Sequence, residues 1–535
     1  MSEKLQPLPL GVSDFQKLRE TGKIYVDKTE FIYKLATTYE KVFIARPRRF
    51  GKSLLVSTFE SLFKYGLRDF EGLAIEKLWR DKTYNVVRLD FSEAKNFENF
   101  EDFALQFKSV LLSAFKPYGF NFVPNTVETL CSQLSAWLKS VPTNSLVLLI
   151  DEYDAPLTAC LNDIELFKNV RKELSSFYAT IKSNDGAVRF FFMTGITKFN
   201  KTSIFSELNT FTDISLDTEF GTLLGYTEEE IKQYFAGYLE NTKNVLGISC
   251  ENILTELRKN YDGFCFDEET ATHVYAPWSV LNLLSRPRKG FQNYWFESGG
   301  RPSALLQYLK SHALRNPDEY GKPQSIALST LANSADVDSL SDVGLLTQAG
   351  YLTLKKVEYD VAFLGYPNLE VKKSIAQLYT EQLLGGFLPG QLGIGGIISV
   401  LLKETPEDLL HILNKLFGSI VYQHYPVKSE SVVRAIVQVY MAGAGLEPIA
   451  EHSNFRGNSD LEVRVGNRYW VIEFKFCGEG KSVKELLQEA LDQLQQKEYG
   501  IQIETEELIR VAMVFSEEKR KFVEMGVIQH NGLLC

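Results

Sequence analysis

The sequence predicts an α/β protein: a parallel sandwich around a phosphate-binding loop, a helical middle region, and a second α/β region at the C-terminus. Three observations predict it. The apolar run Val42-Phe43-Ile44-Ala45 leads straight into Arg46-Pro-Arg-Arg-Phe-Gly-Lys-Ser53. The continuous apolar run Ser145-Leu-Val-Leu-Leu-Ile150 ends in Asp151-Glu152, as a strand buried on both faces of a parallel sheet should. Near the C-terminus, Asp460 precedes a strand-like Tyr469-Trp-Val-Ile-Glu473-Phe-Lys475-Phe.

In the first of these, Arg46 stands where the first glycine of G-x-x-x-x-G-K-[ST] belongs. The ending keeps its chemistry. Gly51 lets the backbone approach a phosphate, Lys52 reaches the β and γ oxygens, and Ser53 holds Mg²⁺. Arg48, Arg49 and Phe50 complete the loop counted as nucleotide-binding. Around it, helix-like and strand-like segments alternate from Tyr25 to about Asp217: a helix near Thr29–Ala36, a strand Lys41–Ala45, a helix from Lys52 to about Phe63, and a strand Asn85–Phe91. An acid at the carboxyl tip of the buried strand, Asp151, is placed to reach the Mg²⁺ that Ser53 holds, and Glu152 to orient and deprotonate the attacking water. Alone, Asp151-Glu152 would read as a solvated helix cap; paired with Gly51-Lys52-Ser53 it reads as an ATP site. A further strand, Val188–Met193, ends in Thr194-Gly195, where a polar residue suits a sensor of the γ-phosphate or of water.

These blocks carry a resemblance. Tyr25-Val-Asp-Lys-Thr29, Arg46–Ser53, Leu149-Ile-Asp-Glu-Tyr-Asp-Ala-Pro156 and Thr194-Gly-Ile-Thr-Lys-Phe199 are similar to those of the bacterial AAA-ATPase-like family. Tyr261-Asp-Gly-Phe264, Pro277-Trp-Ser-Val-Leu-Asn282 and Gly350-Tyr-Leu-Thr353 resemble its middle region. The resemblance implies a P-loop ATPase fold that binds ATP with Mg²⁺ and in which an arginine at position 46 is habitual. It also implies an ATP site that a neighbouring subunit can complete, hence a homo-oligomer.

Residues 221–415 show no catalytic constellation. Thr227-Glu-Glu-Glu230 opens a helix with a capping-box pattern, and helices near Ile253–Lys259 and Ser279–Leu284 suit a lid over the nucleotide. Arg286, Arg288 and Arg301 read as surface charges. Residues from Leu345 to Leu364 read as a β-hairpin, and the glycine-rich run Gly385–Gly396 as a flexible loop or hinge near a domain junction.

Between Glu430 and Tyr499 a second set of chemical residues gathers. Gly466-Asn467 between apolar alternations signals a hairpin. On the strand that follows, Glu473 and Lys475 point to one face with Val471, and Ile472 and Phe474 to the other. Burying a Glu and a Lys together is costly unless they pair or bind a metal. With Asp460 on a neighbouring strand they make a Mg²⁺ site able to activate water against a phosphodiester. The order D…E-x-K within an α-β-β-β-α pattern resembles the PD-(D/E)XK nuclease superfamily. That resemblance implies that Asp460 and Glu473 bind metal, that Lys475 positions the water or stabilises developing charge, and that Glu430 is an accessory acid. The helix from Lys481 to Gln496 follows, with Gln493 directed to the site or to DNA. Ser459 replaces the usual proline.

The expected division is therefore 1–220, an AAA-like P-loop ATPase domain; 221–415, a helical lid and linker; and 416–535, a PD-(D/E)XK nuclease-like domain. The chain has 535 residues, enough for on the order of two to four domains, and its 44% hydrophobic and 24% charged content are those of a globular protein. There is no long uncharged apolar run, so no membrane span or membrane partner is expected. No basic segment with an apolar core opens the chain, so no secretory signal is expected. Six scattered cysteines without a C-x-x-C pair read as reduced thiols of a cytoplasmic protein. The net charge of −10 argues against a broad nucleic-acid-coating surface, and residues 420–535, with 13 basic and 17 acidic side chains, show no basic footprint.

The expectation is an ATP-hydrolysing protein whose nucleotide state controls a Mg²⁺-dependent nuclease acting on DNA ahead of RNA, in phage or mobile-element defence. The alternative is a nucleotide-dependent switch or scaffold whose C-terminal domain binds nucleic acid without cleaving it.

Overall fold

The computed structural model describes residues 5–198, 210–297, 316–332, 342–454, 457–480, 482–500 and 507–531. Phe199, Arg301, Arg456, Lys481 and Cys535 lie outside the described residues. The described residues fall into two compact units, the second comprising the chain from Lys372 onward and the short stretch before Tyr320.

In the first unit, helix α1 (Thr29–Thr38) precedes strand β1 (Lys41–Ala45), and helix α2 (Lys52–Tyr65) follows the loop. Strands β2 (Asn85–Asp90), β3 (Leu146–Asp151), β4 (Val188–Gly195) and β5 (Thr212–Asp213) complete a five-stranded sheet of order β2-β3-β4-β1-β5. Every ladder in it is parallel. All six residues of β3 are buried, which explains its unbroken apolar run. Helix α2 packs Phe59 and Phe63 on Phe190 and Phe192 of β4, with centroids 4.8–5.2 Å apart for three of those pairs. Helices α3 (Phe100–Phe115) and α4 (Ile164–Lys182) meet through Phe107 and Phe177. β1 therefore lies between β4 and β5, and its carboxyl end delivers the loop beside the ends of β3 and β4.

The middle helices α5 (Glu228–Tyr234), α6 (Cys250–Tyr261) and α7 (Pro277–Ser285) share a core with Ile24 and Val26. The capping box at Thr227 and Glu230 is present in both directions. β6 (Gln324–Ala327) joins β7 (Thr353–Glu358) and β8 (Val361–Gly365) in an antiparallel sheet of order β6-β8-β7. The hairpin is thus shorter than the span from Leu345. Leu345 lies in a helix, Asp342–Gln348, and the chain turns at Gly350 (φ +86°), where a Cβ would strike Pro47 at 2.7 Å. The hairpin's own turn is Tyr359-Asp360, both at positive φ (48° and 66°), as a tight two-residue connection requires.

The second unit holds helices α8 (Pro406–Gly418), α9 (Glu430–Gly443) and α10 (Val483–Gln496) with strands β9 (Ile449–Asn454), β10 (Gly457–Val465), β11 (Arg468–Cys477), β12 (Glu507–Ser516) and β13 (Lys521–Asn531). The order is β13-β12-β11-β10-β9, antiparallel except for the parallel β11–β12 ladder. Its main core joins Leu383, Leu384, Ile394 and Ile397 to Leu461, Ile472 and Phe474. The helices up to α8 thus bury their apolar faces with the C-terminal sheet, and the two units divide near residue 371. The glycine-rich run is a loop and not a hinge: Ile394 is fully buried within it, and its carbonyl accepts the hydroxyl of Tyr440.

Candidate functional sites

At the phosphate loop, β1 ends at Ala45 and the chain enters α2 after two left-handed residues, Arg49 (φ +68°) and Gly51 (φ +97°). The second has a backbone conformation that glycine adopts without the strain a side chain would bring. Lys52 is buried, and its ammonium donates to the carbonyls of Arg46 and Pro47, each at 2.9 Å. Burial pushes its pKa down to about 8, against the pull of Asp151 and Glu152. Asp151, at the tip of β3, is 2% exposed. Burial raises its carboxyl, while the Ser53 hydroxyl and Lys52 hold it down, so loop and strand tip meet through Ser53. Glu152 follows in the left-handed region (φ +49°) and donates its amide to Asp151 at 3.1 Å. Thr194 is fully buried on β4, with no hydrogen-bond partner for its hydroxyl. An orphaned buried hydroxyl is costly, and together with the lysine at the loop carbonyls it fits a nucleotide phosphate and its metal.

Two arginines and the phenylalanine of the loop take separate roles. Arg49 lies over the Trp278 ring at 4.4 Å, and Arg48 is half-buried. The Phe50 side chain is buried edge-on against Phe264, Phe266 and Trp295, so only its backbone is left for a phosphate. Arg46, in the glycine's place, is 1% exposed. It donates to the carbonyls of Ala45 (3.0 Å) and Ser215 and stacks on Phe266 at 4.3 Å. Burial draws its pKa down to about 9, Asp213 opposing. Arg286 and Arg288 are exposed.

The remaining motif residues bind the site together. The Tyr153 amide donates to the Thr194 carbonyl at 3.0 Å, and its hydroxyl to that of Thr197 at 2.7 Å. Asp154 accepts the amides of Ile196 and Thr197, and burial raises its pKa to about 6. A Cβ on Gly195 would lie 2.5 Å from Tyr153 and 2.7 Å from Asp154, which is why glycine sits there. Asp27 accepts the amide and hydroxyl of Thr29 and the amide of Ala74, and Lys28 pairs with Glu230 of α5. Beside Gly51 a cavity opens between Pro9, Tyr25, Leu54, Tyr226 and Pro277, apolar and aromatic as a nucleoside base requires.

In the second unit the E-x-K strand behaves as its alternation predicts. Val471 joins Ala490 and Leu494 of α10 in one core, and Ile472 and Phe474 join the other. Asp460 lies where β10 leaves the β11 ladder, whose last pair is Leu461 with Ile472. Its carboxylate accepts the Phe474 amide at 2.8 Å in place of a ladder bond. Glu473 is 1% exposed. One of its oxygens accepts Lys475 at 3.2 Å, and the other is buried without a partner. Burial and then Asp460 raise its pKa to about 7. Lys475 also donates to Gln493 at 3.2 Å; burial opposes its charge, but Glu473 and Glu430 carry its pKa upward. Burial raises the Glu430 carboxyl, against Lys475. Asp460, Glu473, Lys475, Glu430 and Gln493 are thus brought together. Among the described residues no group of three or more His, Cys, Asp or Glu side chains is placed to hold a metal ion. Two carboxylates, one with an orphaned oxygen, suit Mg²⁺, which keeps several waters.

Sequence reasoning passed over Arg434, which donates to Asp460 at 3.4 Å and to Glu451 at 2.7 Å. The signal was its place four residues after Glu430, on the same helical face. It also passed over Glu462, which accepts His452 (2.7 Å), Ser459 (2.7 Å) and Tyr469 (2.5 Å). Ser459, standing where a proline was expected, is a donor to that buried acid.

Fold and sites define a P-loop-type α/β unit and, in the same chain, a nuclease-type α/β unit. Residues 9–205 match the model of a predicted AAA-ATPase, AAA-ATPase-like, and residues 428–525 that of the PD-(D/E)XK nuclease superfamily. A curated relative from Azotobacter chroococcum mcd 1, an uncharacterized protein in the vnfD 5′ region, is 30% identical over 534 residues, covering 96% of this chain and 98% of its own. The chain belongs to the predicted AAA-ATPase-like family and carries a C-terminal domain of the PD-(D/E)XK nuclease superfamily. Among the described residues no helix is long and apolar enough to cross a membrane.

Proposed function

We propose that this protein binds and hydrolyses ATP and that its nucleotide state controls a Mg²⁺-dependent nuclease acting on DNA. The observation that carries the nuclease reading is the buried Glu473 oxygen left without a partner, beside Asp460 and Lys475. Keeping such a carboxylate costs stability, which a bound cation offsets.

In the first unit, Lys52 exchanges its two loop carbonyls for the β and γ oxygens, with the backbone of Arg48, Arg49, Phe50 and Gly51 around the phosphates. Ser53 and Asp151 hold Mg²⁺, Glu152 orients the attacking water and takes its proton, and Thr194 senses the γ-phosphate or that water. The cavity beside Gly51 takes the base. In the second unit, Asp460 and Glu473 hold Mg²⁺, Lys475 positions the water or stabilises developing charge, Glu430 is an accessory acid, and Gln493 fixes Lys475. Bound Mg²⁺ supplies Lewis acidity and a water of lowered pKa. A cytoplasmic location, a homo-oligomeric ATP site, and a role against phages or mobile elements accord with this pairing of domains.

A second reading, a nucleotide switch whose C-terminal domain binds nucleic acid without cutting it, is favoured by the acidity of residues 420–535. Incubating the full chain with Mg²⁺, with and without ATP, over linear, supercoiled and single-stranded DNA and over RNA separates the two. Cleavage of DNA that responds to ATP is the expected result. ATP loss with every substrate intact would support the switch.

A further inference from the structure

Resting on the metal-site reading above, we infer that Arg434 is the phosphate-binding residue of the C-terminal site. Its long contact with Asp460 is the one it exchanges for the DNA phosphodiester, while Glu451 keeps hold of it.

The charges lead to this. Three carboxylates, Glu430, Asp460 and Glu473, surround one ammonium, Lys475. One divalent cation brings that set to neutrality and leaves nothing for the incoming phosphodiester, which carries one negative charge. Residues 420–535 have a net charge of −4, so the region as a whole carries no excess of positive charge for a phosphodiester. Arg434 is a cation the structure already places at the site, and its planar fork matches two phosphate oxygens.

The geometry says which bond gives way. The contact of Arg434 with Asp460 is long, 3.4 Å, while that with Glu451 is 2.7 Å, so the bond in the metal's way is the weaker one. Glu451 is 62% exposed and stands at φ +49° within β9, an uncommon conformation for a side-chain-bearing residue. It keeps hold of the guanidinium from the solvent side while Asp460 is given up. Glu430 and Arg434, one helical turn apart on α9, thus present an acid and a base to the same place.

The test uses the full chain. Binding of a short labelled DNA duplex and its single strand is followed by anisotropy in Ca²⁺ over a salt series, and Mg²⁺ binding by calorimetry. Arg434→Gln should weaken DNA binding about tenfold and lower the slope of log affinity against log salt by about 1. Its Mg²⁺ affinity should hold or rise, because a competitor has left Asp460. Arg434→Lys should recover part of the DNA affinity, and Glu451→Gln should tighten it a few-fold. Unchanged DNA affinity and salt slope in Arg434→Gln would overturn the assignment. So would a fall in Mg²⁺ affinity accompanied by a lower melting temperature, which would make Arg434 a brace for Asp460. If the wild type shows no Mg²⁺ heat that Glu473→Gln abolishes, the metal site itself is refuted, and this inference with it.

Discussion

Lys52 and Lys475 are both buried lysines set beside carboxylates, one in each unit, yet their pKa values move in opposite directions. Lys52 is drawn down to about 8 because burial outweighs the distant acids and its bonded partners are neutral carbonyls. Lys475 is carried up because Glu473 touches it and Glu430 lies near. Desolvation disfavours a charge unless another charge compensates it; dipoles compensate less. The lysine of the loop therefore rests on two neutral carbonyls, with no charge bonded to it among the described residues. The lysine of the C-terminal sheet is committed, its anion supplied by the protein.

The sharpest way to break this contrast is to remove each lysine in turn. Lys52→Ala should reduce phosphate release from ATP on the order of a thousandfold, because it deletes the charge aimed at the transferred group. Lys475→Ala should leave that release intact and reduce DNA cleavage on the order of a hundredfold. ATP turnover surviving the first change would show that the loop is not a nucleotide site.

A smaller effect concerns Asp154, whose carboxyl is raised to about 6. With the folded pKa above the unfolded one, the folded state holds the proton more tightly. Its contribution therefore declines as pH rises from about 4 to about 6 and stays lost above that, by up to about 3 kcal/mol. Denaturant unfolding across this window should show the decline in the wild type and a flatter profile in Asp154→Asn. Gly195→Ala should cost about 1–3 kcal/mol through overlap with Tyr153 and Asp154, read as a lower urea midpoint. The smallest change is in the second unit. Ser459→Ala removes one of three donors to Glu462, about 1 kcal/mol, and should leave the first unit's ATP turnover untouched.

Much of this was legible in the sequence, for reasons that differ by region. β1, β3 and β4 were legible because parallel strands buried on both faces write continuous apolar runs, and the E-x-K strand because period-two alternation assigns each side chain a face. That the acids and lysines would gather in each unit was legible from their pattern along the strands. What escaped depends on contacts distant in sequence. The burial of the glycine-rich run was missed because Ile394, among glycines, gives no local sign of the core it enters. The hairpin's length was missed because the turn at Gly350 answers to Pro47, some 300 residues earlier. Asp154 and Glu462 were missed as buried acceptors because an acid held by amides or hydroxyls looks like any other acid in sequence. Phe50 illustrates the limit within a motif: its position predicted a phosphate contact, while its side chain belongs to an aromatic core.

The buried Arg46 makes its position depend on its neighbours. A change to glycine would regain the usual loop pattern in one step, but it would also empty the space over Phe266 and leave the Ser215 carbonyl without its donor. A replacement at Phe266 made first would expose a buried guanidinium to a poorer neighbour. The two changes are therefore not additive, because residues in contact share their energies, and position 46 is tied to the residues that cover it.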